Sequence, residues 1–433
     1  MADPEPPRFR DHGAHVAALC AAALRAVDPA EAVRRNLSVK DVSEAERVWV
    51  VGAGKAGVAM ARAAAEILGE RVSAGVIAVP HAPEIAPKRI TFIEGGHPLP
   101  TVGSLAAGQA IAHLLEQATA RDVVIALISG GGSALLELPR PGLTLADLQI
   151  TNNQLLRCGA KIHDINIVRG ALSHIKRGGL ARLAHPARVI SLILSDVVGN
   201  PLHLIASGPT STDLTEKTLT DGTDSPAWAV VTQYNLQNTL PRAILDVLSA
   251  SSVQSFSSSA QSVDNRLIAS NRLAGEAAAE AARVLGFDAH YLGDDWQGEA
   301  REVGARFAQT CLSVTQAARP ACLIAGGEST VTVRGHGVGG RNQEAALAAA
   351  VAIESLSNIV ISSFATDGVD GPTDAAGAVV TGETVTRARA IGLNPQAYLE
   401  NNDAYTFFAT LNDLILTGPT GTNVNDLLLG LVY

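Results

Sequence analysis

Short apolar runs that end in glycine, serine or aspartate and then give way to helical stretches recur through the first two hundred residues, and this alternation constrains the fold more than any other feature. Val48–Val51 runs into Gly52-Ala53-Gly54-Lys55, Val123–Ile128 into Ser129-Gly130-Gly131-Gly132-Ser133, and Val189–Leu194 into Ser195-Asp196. Further runs stand at Gly75–Val79 and Ile90–Ile93, and helical stretches at residues 14–27, Val58–Leu68 and 104–118. Apolar runs with helices between them are the signature of parallel strands covered on both faces. A doubly wound α/β sheet is the expectation.

A second α/β stretch follows the Ser-rich segment 249–263, which has the composition of a linker. It contains a helix at 271–285, a run at Ala289–Leu292, a helix at 298–315, strands at Cys322–Ala325 and Thr330–Arg334, a helix at 342–354 and a run at Ile359–Ala365. The turn at 417–426 is expected to lead into a final helix. These elements divide the chain into domains 1–260 and 261–433.

Composition removes several classes of function. With a net charge of −9 the chain lacks the basic face that a nucleic-acid partner requires. An acidic protein that binds anions must concentrate its cations locally, which directs attention to lysines and arginines inside glycine-rich turns. Cys20, Cys158, Cys311 and Cys322 stand far apart with no metal-ligand spacing, as buried thiols of a reducing compartment do. The first residues lack an apolar leader segment, and no apolar run reaches the ~20 residues of a membrane span, so the expected location is cytoplasmic.

Several glycine-rich turns can carry chemistry. Gly52, Gly54 and Gly57 satisfy the dinucleotide pattern GxGxxG between a strand and a helix. However, the strand Gly75–Val79 ends in Pro80-His81 and not in the acid that would hold a ribose. Lys55 inside the turn adds a full charge, suited to a phosphoryl group in transfer. Ser129, Gly130, Gly131, Gly132 and Ser133 offer amide and hydroxyl donors to an anion, although the same loop serves as a plain strand–helix connection. Walker A is absent. Gly326, Gly327 and Glu328 precede a glycine turn that delivers Arg341, Asn342 and Glu344 to a helix start, where a guanidinium can grip a carboxylate or phosphate. Internal pairing of Arg341 with Glu328 or Glu344 is the alternative. Asp367, Asp370 and Asp374 can hold Mg²⁺, and Asx-turns or helix caps account for them equally well. Thr417, Gly421, Thr422 and Asn423 form another donor-rich turn. Asp196, at a strand end, can orient or deprotonate a hydroxyl or merely cap a helix. His97, between Gly96 and Pro98, stands apart from His81, His163 and His203, which read as surface or satisfied core residues.

Taken in order, VGAGKAG at 51–57, GGHPLP at 95–100, LISGGGSALL at 127–136, INIVRGALSHIKRGGLA at 165–181, LSDVVGNPLHLIASGPT at 194–210, GGESTVTVRGHGVGGRNQE at 326–344, ATDGVDGPTDAAGA at 365–378 and TGPTGTNVNDL at 417–427 resemble the class II glycerate kinases, whose C-terminal part is the MOFRL domain. Residues 1–45 and 211–262 match little. The chain departs from the family's usual pattern at Asn200 (commonly Asp), Gly170 (commonly Lys) and Asp164 (commonly Glu). The resemblance implies ATP- and Mg²⁺-dependent conversion of D-glycerate to 2-phosphoglycerate, with Lys55 and Arg341 at the family's catalytic positions.

The expected architecture is a larger Rossmann-like N-terminal domain, a smaller MOFRL-type domain and an active site in the cleft between them. Lys55, Arg341 and Asp196 are expected to be catalytic. Gly54, the 129–133 loop, Glu328 and Asn342 would bind substrate or phosphate, and Gly326, Gly327, Thr417, Gly421, Thr422 and Asn423 the nucleotide. Asp367 and Asp370 would face the metal. The partners are D-glycerate and ATP, with no nucleic acid or membrane, in a monomer or homodimer. The alternatives are an NAD(P)H-dependent hydroxypyruvate reductase and a non-catalytic sensor of nucleotides or sugar phosphates.

Overall fold

A computed structural model describes residues 7–211, 225–250, 262–314 and 320–433. The expected linker at 249–263 lies almost wholly outside the described residues. The N-terminal sheet contains β1 (Val48–Ala53), β2 (Val72–Val79), β3 (Ile90–Glu94), β4 (Val123–Ile128), β5 (Arg188–Leu194) and β6 (Val263–Ala269). They lie in the order β3-β2-β1-β4-β5-β6, the strand order of the dinucleotide-binding sheets. Pairing from β3 through β5 is parallel. Every residue of β1 and β4 is buried, which explains why these runs are apolar throughout and do not alternate. β1 and β4 run in step from Val48↔Val123 to Ala53↔Ile128, so the two glycine-rich turns leave the sheet side by side. The helix Gly57–Leu68 packs so tightly that a Cβ on Gly57 would stand 2.9 Å from Ile77 Cγ2 of β2.

The second sheet is mixed. Its strands are β7 (Asp288–Tyr291), β8 (Trp296–Glu299), β9 (Ala321–Thr330), β10 (Ile359–Ala365), β11 (Gly377–Thr381), β12 (Leu414–Ile415) and β13 (Asp426–Val432). The order is β12-β11-β10-β13-β9-β7, with β8 also on β9. β13 lies between β10 and β9, antiparallel to both. The expected final helix is therefore a central strand: its run DLLLGLV is buried at every position, and period alone cannot separate such a strand from a buried helix. Thr330–Arg334 is likewise not a separate strand, because β9 continues through Gly326-Gly327 to Thr330. The core gathers Phe307, Leu347, Ile361, Phe407 and Phe408 around the helix Arg341–Ala352.

The described chain divides into two compact units, residues 29–195 with 200–268, and residues 1–28 with 196–199 and 269–433. A single cut near residue 260 thus differs from the observed division at the N-terminus. The helix His12–Ala26 buries Val16, Leu19, Cys20 and Ala23 and packs on the helix Asn271–Val284 of the C-terminal unit. Thr422 Oγ1 secures it by donating to Val27 O at 2.8 Å. Among the described residues no helix is long and apolar enough to cross a membrane, and the four cysteines are free thiols.

Candidate active site

In the N-terminal unit the strand order reverses between β1 and β4, the place where open α/β sheets receive ligands. The two turns there hold each other. Lys55 N–H donates to Gly130 O at 2.9 Å, and Ser129 N–H to Ala53 O at 3.0 Å. The buried Ser129 hydroxyl accepts from the Ala56 amide at 3.1 Å. Ser129 and Gly54 are thus clasp residues more than phosphate donors: a Cβ on Gly54, at φ +141°, would stand 2.0 Å from Ser129 Oγ.

The Lys55 side chain leaves this clasp exposed. A Cβ on Gly131, at φ +80°, would lie 3.1 Å from His97 Cδ2 and 3.3 Å from Lys55 Cγ, so Lys55, His97 and the Gly131 backbone share one patch. Burial, and then the charge of Lys55, hold the His97 imidazole below its usual 6.5. At neutral pH it is an uncharged hydrogen-bonding group. Ser133 Oγ lies 2.8 Å from Ser207 Oγ, which donates in turn to Asn166 Oδ1 at 3.2 Å. Ala206 and Ser207 both adopt left-handed φ, +50° and +61°, at a cost of about 1–3 kcal/mol each. Strain of this kind concentrates at ligand sites. Sequence reasoning did not single out Asn166 or Ser207, because only the fold sets them beside the 129–133 loop.

In the C-terminal unit Arg341 opens its helix within the grip of two acids. Nε and Nη2 donate to Asp426 Oδ2 and Oδ1 at 2.5 and 3.0 Å, and Nη1 lies 3.1 Å from Glu328 Oε1. Glu344, the other partner considered, is bound instead to Arg301 at 2.8 Å and to Asn402. Burial opposes the Arg341 charge, but Asp426 and Glu328 outweigh it and hold the guanidinium above its usual pKa. Burial also raises the Glu328 carboxyl; Arg341 opposes this, while Asp426 and Asp196 add repulsion. Asp196 is thereby placed within electrostatic reach of Glu328. Asp426, the principal partner of Arg341, gave no signal in the sequence beyond membership of a turn motif.

Several residues expected to touch ligand have other duties. Asn342 is buried, donating to Asp426 and Asp370 and accepting from Ser363 at 2.6 Å. Gly326 and Gly327 are strand residues crowded by neighbours: a Cβ would meet Asn271 Oδ1 at 1.6 Å or Trp296 O at 2.1 Å. Thr422 is spent on Val27, and Asn423 Oδ1 accepts from the Asn425 amide. Asp370 is buried and caps the helix, its two oxygens accepting from the amides of Asn342 at 3.1 Å and Gln343 at 2.8 Å. Both Asp370 oxygens are thus engaged by helix amides, and a metal there would compete with that cap. Asp367 is half-buried, with Oδ1 accepting from Val369 N–H at 3.1 Å. Magnesium in phosphoryl transfer takes one or two carboxylates, waters and the substrate phosphates. Asp367 fits that role better than Asp370. Thr417 and Gly421 lie exposed on the turn that folds over residues 366–368.

The departures from the family pattern also have places in the structure. A Cβ on Gly170 would stand 2.1 Å from Arg177 Cδ, so the basic side chain over this helix comes from Arg177. Asp164 accepts from Tyr234 OH at 2.7 Å. Asn200 adopts φ +55°, a conformation Asn tolerates.

Comparison with known proteins agrees with this architecture. The family model described as Domain of unknown function (DUF4147) matches residues 15–249, and that of the MOFRL family matches residues 321–426. D-glycerate 2-kinase of Thermotoga maritima is 38% identical over 416 residues, covering 94% of this chain and 95% of the relative. A putative hydroxypyruvate reductase of Agrobacterium vitis is 41% identical over 387 residues, covering 88% and 98%. The crystal structure of glycerate kinase from Thermotoga maritima superposes with a TM-score of 0.88 at 36% identity, covering 98% of this chain and all of that one (100%). The chain belongs to the glycerate kinase family built from DUF4147 and MOFRL domains.

Proposed function

We propose that the protein transfers the γ-phosphoryl group of ATP to the 2-hydroxyl of D-glycerate, giving 2-phosphoglycerate and ADP. The observation that carries this reading is Lys55, an exposed cation set by a buried clasp beside the glycine-rich turn after β4. In the reaction the hydroxyl oxygen bonds to the γ-phosphorus, the bond to the β–γ bridging oxygen breaks, and the hydroxyl proton passes to a base. Lys55 offsets the charge spread over the transferring group, while the Gly131 backbone lies beside it in the same patch. Asp196 orients the hydroxyl and accepts its proton. Arg341 has three of its five N–H donors tied to Asp426 and Glu328, leaving one each on Nη1 and Nη2 available to the carboxylate or the γ-phosphate. Mg²⁺, when bound with the nucleotide, neutralises phosphate charge, and Asp367 is the residue suited to face it.

β2 ends at Val79 and is followed by Pro80-His81, so the strand beside β1 brings no acid to a ribose, which disfavours a nicotinamide reductase. The test is a coupled assay with D-glycerate, ATP and Mg²⁺ whose auxiliary enzymes separate 2- from 3-phosphoglycerate. Formation of 2-phosphoglycerate is expected. Absence of phosphorylated product, with NADH oxidised by hydroxypyruvate, would replace the kinase by the reductase.

A further inference from the structure

Arg169 lies on the helix Ile162–Ala171, one turn beyond Asn166. Residues three apart share a helix face, and Asn166 is the residue that ties this helix to the Ser207 and Ser133 hydroxyls. Arg169 Nε donates to Asn152 Oδ1 at 2.7 Å, and among the described residues this neutral oxygen is its one hydrogen-bond acceptor. The acid within its electrostatic reach, Glu137, is occupied: Lys176 is bonded to it, and their side chains are only 6% and 2% exposed. Burial lowers the Arg169 pKa, with Glu137 opposing.

A half-buried guanidinium whose one protein acceptor is a neutral oxygen keeps donors open to an anion, which it binds more strongly than water does. Its planar fork matches the paired oxygens of a carboxylate or a phosphate. Through Asn166, one turn back on the same helix, this segment reaches the Ser207 and Ser133 hydroxyls, and Ala206 and Ser207 there are strained. Arg341, in contrast, is held by two acids of the protein itself.

We propose that Arg169, with the Asn166 side-chain N–H that the Ser207 and Ser133 hydroxyls orient, forms an oxyanion site for one charged group of the reactants, the carboxylate of the hydroxy acid or a phosphate of the nucleotide. The identity of those reactants rests on the kinase reading; the oxyanion chemistry does not.

The test uses the full chain with Arg169→Gln and Arg169→Lys, measuring each KM and the melting-temperature shifts produced by D-glycerate, ADP and inorganic phosphate. For Arg169→Gln the unliganded melting point is expected to hold or rise, because an incompletely paired half-buried charge has been removed. The KM for one reactant rises about tenfold or more, and the shift that reactant produces disappears. Loss confined to D-glycerate assigns the carboxylate; loss with ADP and phosphate assigns the nucleotide. Ligand shifts and both KM values within about twofold of wild type would overturn the site, whatever happens to the unliganded melting point, since a structural cation alters stability without altering binding. If Arg169→Gln does not fold, Arg169→Lys decides: it keeps the charge without the fork, and parity with wild type in KM and shifts overturns the proposal. If the wild type makes no 2-phosphoglycerate the kinase reading fails, while an ADP or phosphate shift lost in Arg169→Gln would still establish the site.

Discussion

Lys55 and Arg341 carry equal charges in unequal surroundings, and the difference sets what their loss should do. Lys55 is exposed and, among the described residues, its ammonium makes no hydrogen bond or ion pair, so Lys55→Ala should keep the wild-type melting point. Its turnover of D-glycerate should fall about 10²–10³-fold, as expected for loss of one preorganised charge at the transition state. A steady-state assay beside a melting curve checks both halves. Arg341 is bound into the structure by Asp426 and Glu328 and, on the proposed mechanism, grips a reactant as well. Asp426→Asn removes the bidentate partner and leaves a guanidinium facing a neutral amide. We expect a loss of about 3–5 kcal/mol in urea unfolding, the usual result of breaking a buried pair from one side, together with a fall in kcat/KM. Unchanged stability would show that Glu328 alone holds the arginine.

The helix Arg341–Ala352 depends on Asp370 for its first turn, and this carboxyl has a pH signature. Burial raises it from 3.8 to about 6, against the helix amides that favour its charged form. Between those two values the native state keeps a proton that the unfolded chain has released. The stabilising contribution is full below about pH 4 and is lost as pH rises through about 6, amounting to about 3 kcal/mol at most. Asp370→Asn cannot ionise. Wild type should therefore lose stability relative to the Asn protein between pH 4 and 6 in denaturant titrations at stepped pH. A constant difference across that interval would mean that the carboxyl titrates normally.

Why the N-terminal sheet could be read from the chain, and the second sheet only in part, follows from the same elements. The parallel strands from β1 to β5 are apolar runs each closed by its own turn, and helices follow β1, β3 and β4 directly, so the information is local. β9 looked interrupted at Gly326-Gly327 because glycine pairs usually mark loops, whereas here they admit the Asn271 side chain and the Trp296 backbone. β13 pairs with strands roughly sixty and a hundred residues earlier, which no local window contains. The cations of the site were visible because charge inside glycine turns is rare. Asp426, Asn166 and Arg169 acquire their meaning only from what the fold sets beside them.

At the level of the molecule, the two ends of the chain meet in one unit. His15 Nδ1 lies 2.8 Å from Tyr433 OH, and Phe287 packs on both rings. Removing residues 1–28 should uncover the helix Asn271–Val284. Amide exchange should then accelerate across 271–284 and 426–432 but stay unchanged in β1 and β4. Acceleration in β1 and β4 instead would assign the first helix to the other unit.

The placement of β13 also bears on how the protein is made. The six other described strands of its sheet, β7 through β12, precede it on the ribosome, yet the sheet cannot close until it threads between β9 and β10. Its first residue is the acid that orients Arg341. Arg341 therefore lacks its bidentate partner until β13 is in place, so closing the sheet and setting the guanidinium are one folding event.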